Sequence, residues 1–180
     1  MNTKSDFLTE WMRSQSSEKP ATRKFSNTPK MVPFADMDYW YLTTPFSWKP
    51  NDISQYELPD KIEVPAGFVT DFASIPSIFW TVMPRTGRYG FPAIIHDWLY
   101  WDQPINKHAA DRVFQMGLHE MSVSLLKRKI MTASVHMFGG NSWDNNSAEK
   151  TQGQGRVIKK YPNDPRTTWE EWKNQENVFK

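Results

Sequence analysis

The chain has no cysteine in its 180 residues. That excludes disulfide scaffolds, thiol nucleophiles and thiolate metal sites, and it suits folding in a reducing cytoplasm. Long apolar runs are also missing, and none approaches the roughly 20 residues that a membrane-crossing helix needs. Charge of one sign is not in excess: 22 Lys and Arg against 20 Asp and Glu leave a formal charge of +2. Such a balance carries no nucleic-acid signature and no strong field toward an anionic membrane. The one basic run, Lys127-Arg128-Lys129, falls within a helical pattern and is expected to be a solvated helix face. The N-terminus lacks the apolar stretch of a signal peptide, since Asn2-Thr3-Lys4-Ser5-Asp6 is followed by only Phe7 and Leu8. No internal repeat is visible.

Aromatic residues are abundant at 14 %, with nine Trp and eleven Phe, while hydrophobic residues as a whole reach only 38 %. A core can be built from such few, large pieces. The apolar material concentrates between about Tyr56 and Phe138, and both ends are polar. The expected organisation is an N-terminal arm over 1–35, a globular core over 36–140 and a C-terminal arm over 141–180. In the first arm, Phe7-Leu8 and Trp11-Met12 recur at helical spacing after Ser5.

The expected fold class is α+β: a small antiparallel sheet from about 36–75, packed by about three helices from about 76–138. Tyr39-Trp40-Tyr41-Leu42 is rich in β-formers and is cut off by Pro45 and Pro50. Lys61-Ile62-Glu63-Val64 alternates, Pro65-Ala66-Gly67 turns, and Phe68-Val69-Thr70 resumes. A short helix is expected over Pro76–Val82, and another opens near Pro92 and stops at Gln103-Pro104. Asn106 is positioned to cap a helix from Lys107 to about Met121. A third helix is expected from Ser122 or Ser124, buried along Leu126, Ile130, Ala133 and Met137, and ended by Phe138-Gly139-Gly140-Asn141. In the second arm, Arg156-Val157-Ile158 can form one edge strand, and Trp169 and Trp172 suggest a short helix capped by Thr167 or Thr168.

Two ionisable residues, His96 and Asp97, stand in the apolar run Ile94-Ile95-His96-Asp97-Trp98-Leu99-Tyr100-Trp101. Burying them is costly unless something pairs them. His96 and Tyr100 share a helix face, and Asp97 is turned about a quarter-turn away. Asp111 lies early in the next helix, which a short loop should return antiparallel, so it can approach His96 or Tyr100. A carboxylate bonded to imidazole fixes its tautomer and raises its basicity, the minimum for a general base. The same spacing also suits a core histidine satisfied by Asp111, with Asp97 and Asp71 as caps and ion-pair partners. Asp71 and Ser74 sit between strand and helix, where each can line a site or cap the helix at Pro76. His108, His119 and His136 share no acid-rich cluster and are expected at the surface.

Val69-Thr70-Asp71-Phe72-Ala73-Ser74-Ile75-Pro76, then Gly87-Arg88-Tyr89, then His96-Asp97-x-x-Tyr100 and Ala110-Asp111-x-x-Phe114, resembles a family of unknown function encoded in tailed bacteriophages and prophages. The likeness runs from about Ile62 to Gly139. It implies a phage origin and no established activity. The His96-Asp97-x-x-Tyr100 and Asp111 pattern is also similar, more faintly, to secreted phospholipase A2. That resemblance implies His96 as base, Asp97 as a calcium ligand, Asp111 as the orienting acid and Tyr100 as its hydrogen-bond partner. The disulfides of that family have no counterpart here, and only Gly87-Arg88-Tyr89-Gly90 can stand in for its calcium loop.

The expected role is a virion or tail-associated structural protein, made in the host cytoplasm, that docks on other phage virion proteins through Trp11, Trp169 and Trp172. The alternatives are a phage-encoded hydrolase working through His96, Asp97 and Asp111, with calcium as its one candidate cofactor, and a soluble factor acting on a host component. Assembly as a homo-oligomer stays open.

Overall fold

The structure is a computed structural model, and it describes residues 28–50, 61–72 and 88–180. It is an α+β arrangement of small antiparallel sheets and helices. Strands β1 (Met31–Pro33), β2 (Trp40–Leu42), β3 (Phe46–Trp48), β4 (Ile62–Val64) and β5 (Val69–Thr70) come first. Helices α1 (Gly90–Asp102), α2 (Lys107–Glu120), α3 (Leu125–Thr151) and α4 (Trp169–Lys173) follow.

The strands form two sheets rather than the one expected. One has the order β1-β2-β5, with Val32 opposite Tyr41 and Tyr41 opposite Val69. The other pairs β3 with β4, Ser47 facing Glu63. β2 ends at Leu42, before Pro45, as expected, and Pro45 and Pro50 bracket a further strand, β3, whose three residues are all buried. Prolines at the two ends of a three-residue strand remove no ladder bond from its interior. The turn at Pro65-Ala66-Gly67 forms as expected, and Gly67 adopts φ +89°. A Cβ there would lie 2.0 Å from the Ile158 carbonyl oxygen, so the turn is pressed against the C-terminal segment in a way only glycine permits.

Helix α1 packs on β4 and β5 and against α2 and α3. Its inner face, Ile94, Ile95 and Leu99, closes a core with Leu42, Phe46, Trp48, Ile62, Val64 and Phe68. Each such side chain contributes about 1.5–3 kcal/mol by burial. The helix stops at Gln103, which is left-handed (φ 57°) and donates its N–H to the Leu99 carbonyl just before Pro104. Asn106 caps α2 as its sequence suggests, its side chain accepting from the Ala109 N–H.

Helix α3 departs from expectation twice. It runs through Gly139 and Gly140 to Thr151 instead of ending there. Glycine lowers helix propensity by about 1 kcal/mol, and tertiary packing outweighs that: α1 binds this part of α3 through bonds from Asn146 and Lys150 to the Tyr100 and Asp102 carbonyls. The buried face is also displaced from the expected stripe. Met131, Ser134, Gly139 and Asn146 face inward, while Leu126 and Met137 are 54 % and 64 % exposed. Close approach to α1 favours small and polar residues on the inner face.

The C-terminal segment is not a separate arm. Val157 bridges Phe68, and Ile158 bridges Phe179. Trp169, expected on a neighbouring subunit, is buried in the chain's own core with Phe34, Tyr41, Val69 and Ile158. Its helix is capped by Thr168, which forms a capping box with Glu171. Likewise β1 starts at Met31, inside the expected N-terminal arm. The expected helix over Pro76–Val82, and Trp11, lie outside the described residues. No helix among the described residues is long and apolar enough to cross a membrane.

Candidate functional site

Asp111 sits at the centre of a hydrogen-bond cluster. Its Oδ1 is 3.1 Å from His96 Nε2 and accepts the Tyr100 hydroxyl at 2.6 Å. Its Oδ2 accepts Lys107 Nζ at 2.7 Å. The loop at Gln103–Asn106 does fold α2 back on α1, which brings together the residues that the spacing suggested. The His96 ring lies on Tyr100 and Phe114, with centroids 4.1 and 4.7 Å away.

The electrostatics define the protonation states. Burial alone pushes the Asp111 carboxyl up, but bonds from His96, Lys107 and Tyr100 outweigh it and hold the group below its ordinary value. An ionised Asp111 can only accept, so His96 Nε2 carries the proton that it shares with Asp111 and Nδ1 keeps its lone pair. Burial lowers the His96 pKa more than Asp111 raises it, which leaves the imidazole neutral. Burial, then the Asp111 bond, pushes the Tyr100 phenol well above its usual value, so it acts as a donor.

Asp97 points to the sheet. Its Oδ2 accepts the Thr70 hydroxyl, and Thr70 Oγ1 in turn accepts the Phe72 N–H at 3.1 Å. Phe72 takes a left-handed φ of 60° there.

His96, Asp97, Asp71 and Tyr100 line one cavity of about 200 Å³, closed on its far side by α3. His96 Nδ1 is the ring nitrogen that Asp111 leaves for it. Of the other expected positions, Tyr89 is buried against α2 and α3 rather than in the cavity, and Arg88 is exposed. Ser74 and Gly87 lie outside the described residues. Trp172 is half-buried and donates its indole N–H to the Lys160 carbonyl. His108, His119 and His136 are exposed, as expected.

The resemblance to phospholipase A2 implies calcium at Asp97. The described residues do not fit that ion: no three His, Asp or Glu side chains among them gather to hold a metal. Asp97 instead spends an oxygen on Thr70. Only Arg88, Tyr89 and Gly90 of the stand-in calcium loop are described, and Gly90 already opens α1.

Several site residues escaped the sequence. Lys107 was visible in principle as an i, i+4 partner of Asp111. Thr70 stood in the quoted motif without a role. The α3 wall, with Ser142, Asn145 and Glu149, was hidden because the helix was expected to end at Gly139. Arg156 joins the cavity from the segment after α3.

Residues 40–135 match the family described as "Protein of unknown function (DUF1353)". The chain belongs to that family. The matched span covers β2 to the first half of α3, and with them the His96–Asp111 pair. The chain is also similar to "Uncharacterized protein y4jT" of Sinorhizobium fredii, at 33 % identity over 81 residues, 44 % of this chain. It spans 24 % of that relative's length. No solved structure matches the chain.

Proposed function

We propose that the chain is a hydrolase in which His96 activates water for attack on an acyl bond. The observation that carries this reading is the buried, neutral imidazole whose Nε2 is anchored on an ionised Asp111 while its ring lines a cavity. A histidine placed only for packing needs no such opening. In the reaction, a cavity water attacks the acyl carbon as its proton passes to His96 Nδ1. The C–O bond to the leaving group then breaks, and Nδ1 returns the proton to the leaving oxygen, giving acid and alcohol. Asp111 offsets the transient imidazolium charge, and Tyr100 and Lys107 hold the carboxylate in place. Asp97 supports the floor of the site through Thr70.

The test is hydrolysis of 4-nitrophenyl acyl esters by the purified chain and by His96→Asn. Loss of about 10²–10⁴-fold in rate with the melting temperature retained is expected for a general base. A wild-type chain that is folded but inert on the esters overturns the reading.

A second reading, the virion structural protein, is favoured by one observation: α3 leaves Leu126 and Met137 in solvent. An exposed apolar stripe of this kind suits docking on another subunit. Here the contact surface would be α3 rather than Trp169. Mass spectrometry of purified phage particles tests it. A fixed copy number supports it, and absence from particles overturns it.

A further inference from the structure

The cavity has a direction. Helices α1 and α3 lie side by side and run the same way: Met131 packs with Tyr89 and Ala93 at one end. At the other end Asn146 and Lys150 bond to the Tyr100 and Asp102 carbonyls. His96, midway along α1, therefore faces the middle of α3. The α3 residues lining the cavity change character at that midpoint. Met131, Val135 and Phe138 come before it, together with Ser134, whose hydroxyl donates to the Ile130 carbonyl of its own helix, and Ser142, Asn145, Asn146 and Glu149 come after it. From Met131 to Glu149 the helix rises about 27 Å. Arg156 joins the polar end, its guanidinium 5.9 Å from the Trp101 ring near the end of α1. Among the described residues neither Arg156 nor Glu149 is in an ion pair.

Unpaired charges of both signs at one end, an apolar wall at the other and a base between them describe a ligand as well as a cavity. Resting on the hydrolase reading, we infer that the substrate is an amphipathic ester with a short acyl chain. The chain lies against Met131, Val135 and Phe138, and a polar head of low net charge lies against Asn145, Glu149 and Arg156. The volume limits the chain. About 200 Å³ holds about seven groups the size of a water molecule. Ser142 and Asn145 are exposed, so the head extends into solvent at the polar end; acyl chains of about four to six carbons fill the enclosed part, and long ones do not fit. The head is neutral or zwitterionic because Glu149 and Arg156 offset each other, and a purely anionic head meets Glu149 and Asp71 in the same cavity. Water is the co-reactant. The new bond is acyl carbon to water oxygen, the broken bond is acyl carbon to head-group oxygen, and the head leaves as the alcohol.

The experiment uses the full chain and 4-nitrophenyl esters from acetate to dodecanoate, followed by butyrate esters of glycerol, choline and glycolate. The expected profile peaks at four to six carbons and falls at least tenfold by twelve. Val135→Phe moves the maximum to shorter chains, and Phe138→Ala, at a side chain 54 % exposed and therefore safe for folding, moves it to longer ones. Glu149→Gln raises the rate on the glycolate ester relative to the choline ester, and Arg156→Gln does the reverse. A His96-dependent activity whose chain-length profile ignores both wall variants overturns this inference and leaves the hydrolase standing. A folded chain that hydrolyses none of the esters overturns both.

Discussion

Gly139 lies so close to Tyr100 that a Cβ on it would sit 2.4 Å from the phenolic oxygen. The same oxygen donates to Asp111. The approach of α3 to α1 and the geometry of the His96 cluster therefore depend on a missing methyl group. In an ordinary helix Gly→Ala stabilises by about 1 kcal/mol. At Gly139 the clash dominates, and Gly139→Ala is expected to destabilise by about 1–3 kcal/mol, as overpacking does. Thermal denaturation of Gly139→Ala, Tyr100→Phe and the double variant checks this. In the Gly139→Ala background, removal of the hydroxyl should recover stability rather than lose it. Additive losses would mean that the two residues do not meet.

The acid side of stability should show two phases. His96 has a folded pKa below its unfolded value near 6.5, so the unfolded chain binds its proton first as pH falls. Its contribution is complete above about pH 6.5 and is lost downward from there. Asp111 is also lowered, so its contribution is present above its unfolded value near 3.9 and disappears below that as the folded group protonates. Melting temperature measured from pH 8 to pH 3 is expected to fall in both windows. His96→Gln should remove the upper phase only. An unchanged upper phase in that variant would show that another group causes it.

Lys107 competes with His96 for Asp111, its Nζ 2.7 Å from Oδ2. Lys107→Met leaves the carboxylate to His96 and Tyr100. The His96 pKa is then expected to rise, as followed by NMR titration of its ring protons, with stability changing by about 1 kcal/mol or less for a partly exposed pair. A pKa that stays in place or falls would remove Lys107 from the electrostatics of the site.

Trp169 packs on Phe34, Tyr39 and Phe179 with ring centroids 5.4, 5.8 and 6.0 Å away. Trp169→Ala is expected to cost about 3–5 kcal/mol in chemical denaturation, the range for buried aromatic truncation. Trp172→Ala, at a half-buried residue, should cost clearly less. Equal and small effects would mean that the C-terminal segment does not close the core.

The local sequence by itself determined much of the elements and the pairing of the acid with the base. Apolar periodicity, Asn106 as a cap and Gln103-Pro104 as a stop are short-range signals, and they placed α1 and α2. With a short loop between those helices, antiparallel return follows, and Asp111 must come near His96 and Tyr100. Tertiary structure alone decided what surrounds that pair. Gly139-Gly140 reads as a helix end because glycine is a poor helix former, yet α3 continues because bonds to the end of α1 and the close approach over Tyr100 favour a helix there. Leu126 and Met137 suggest a buried stripe, yet they face solvent, because α3 turns Met131, Ser134, Gly139 and Asn146 inward instead. Trp169 reads as an anchor for a partner, yet the core around Phe34, Tyr41 and Val69 takes it. Long-range packing chooses among local options that are nearly equal in free energy, so the cavity wall, the polar end at Glu149 and Arg156, and the closing of the core appear only when the chain is folded.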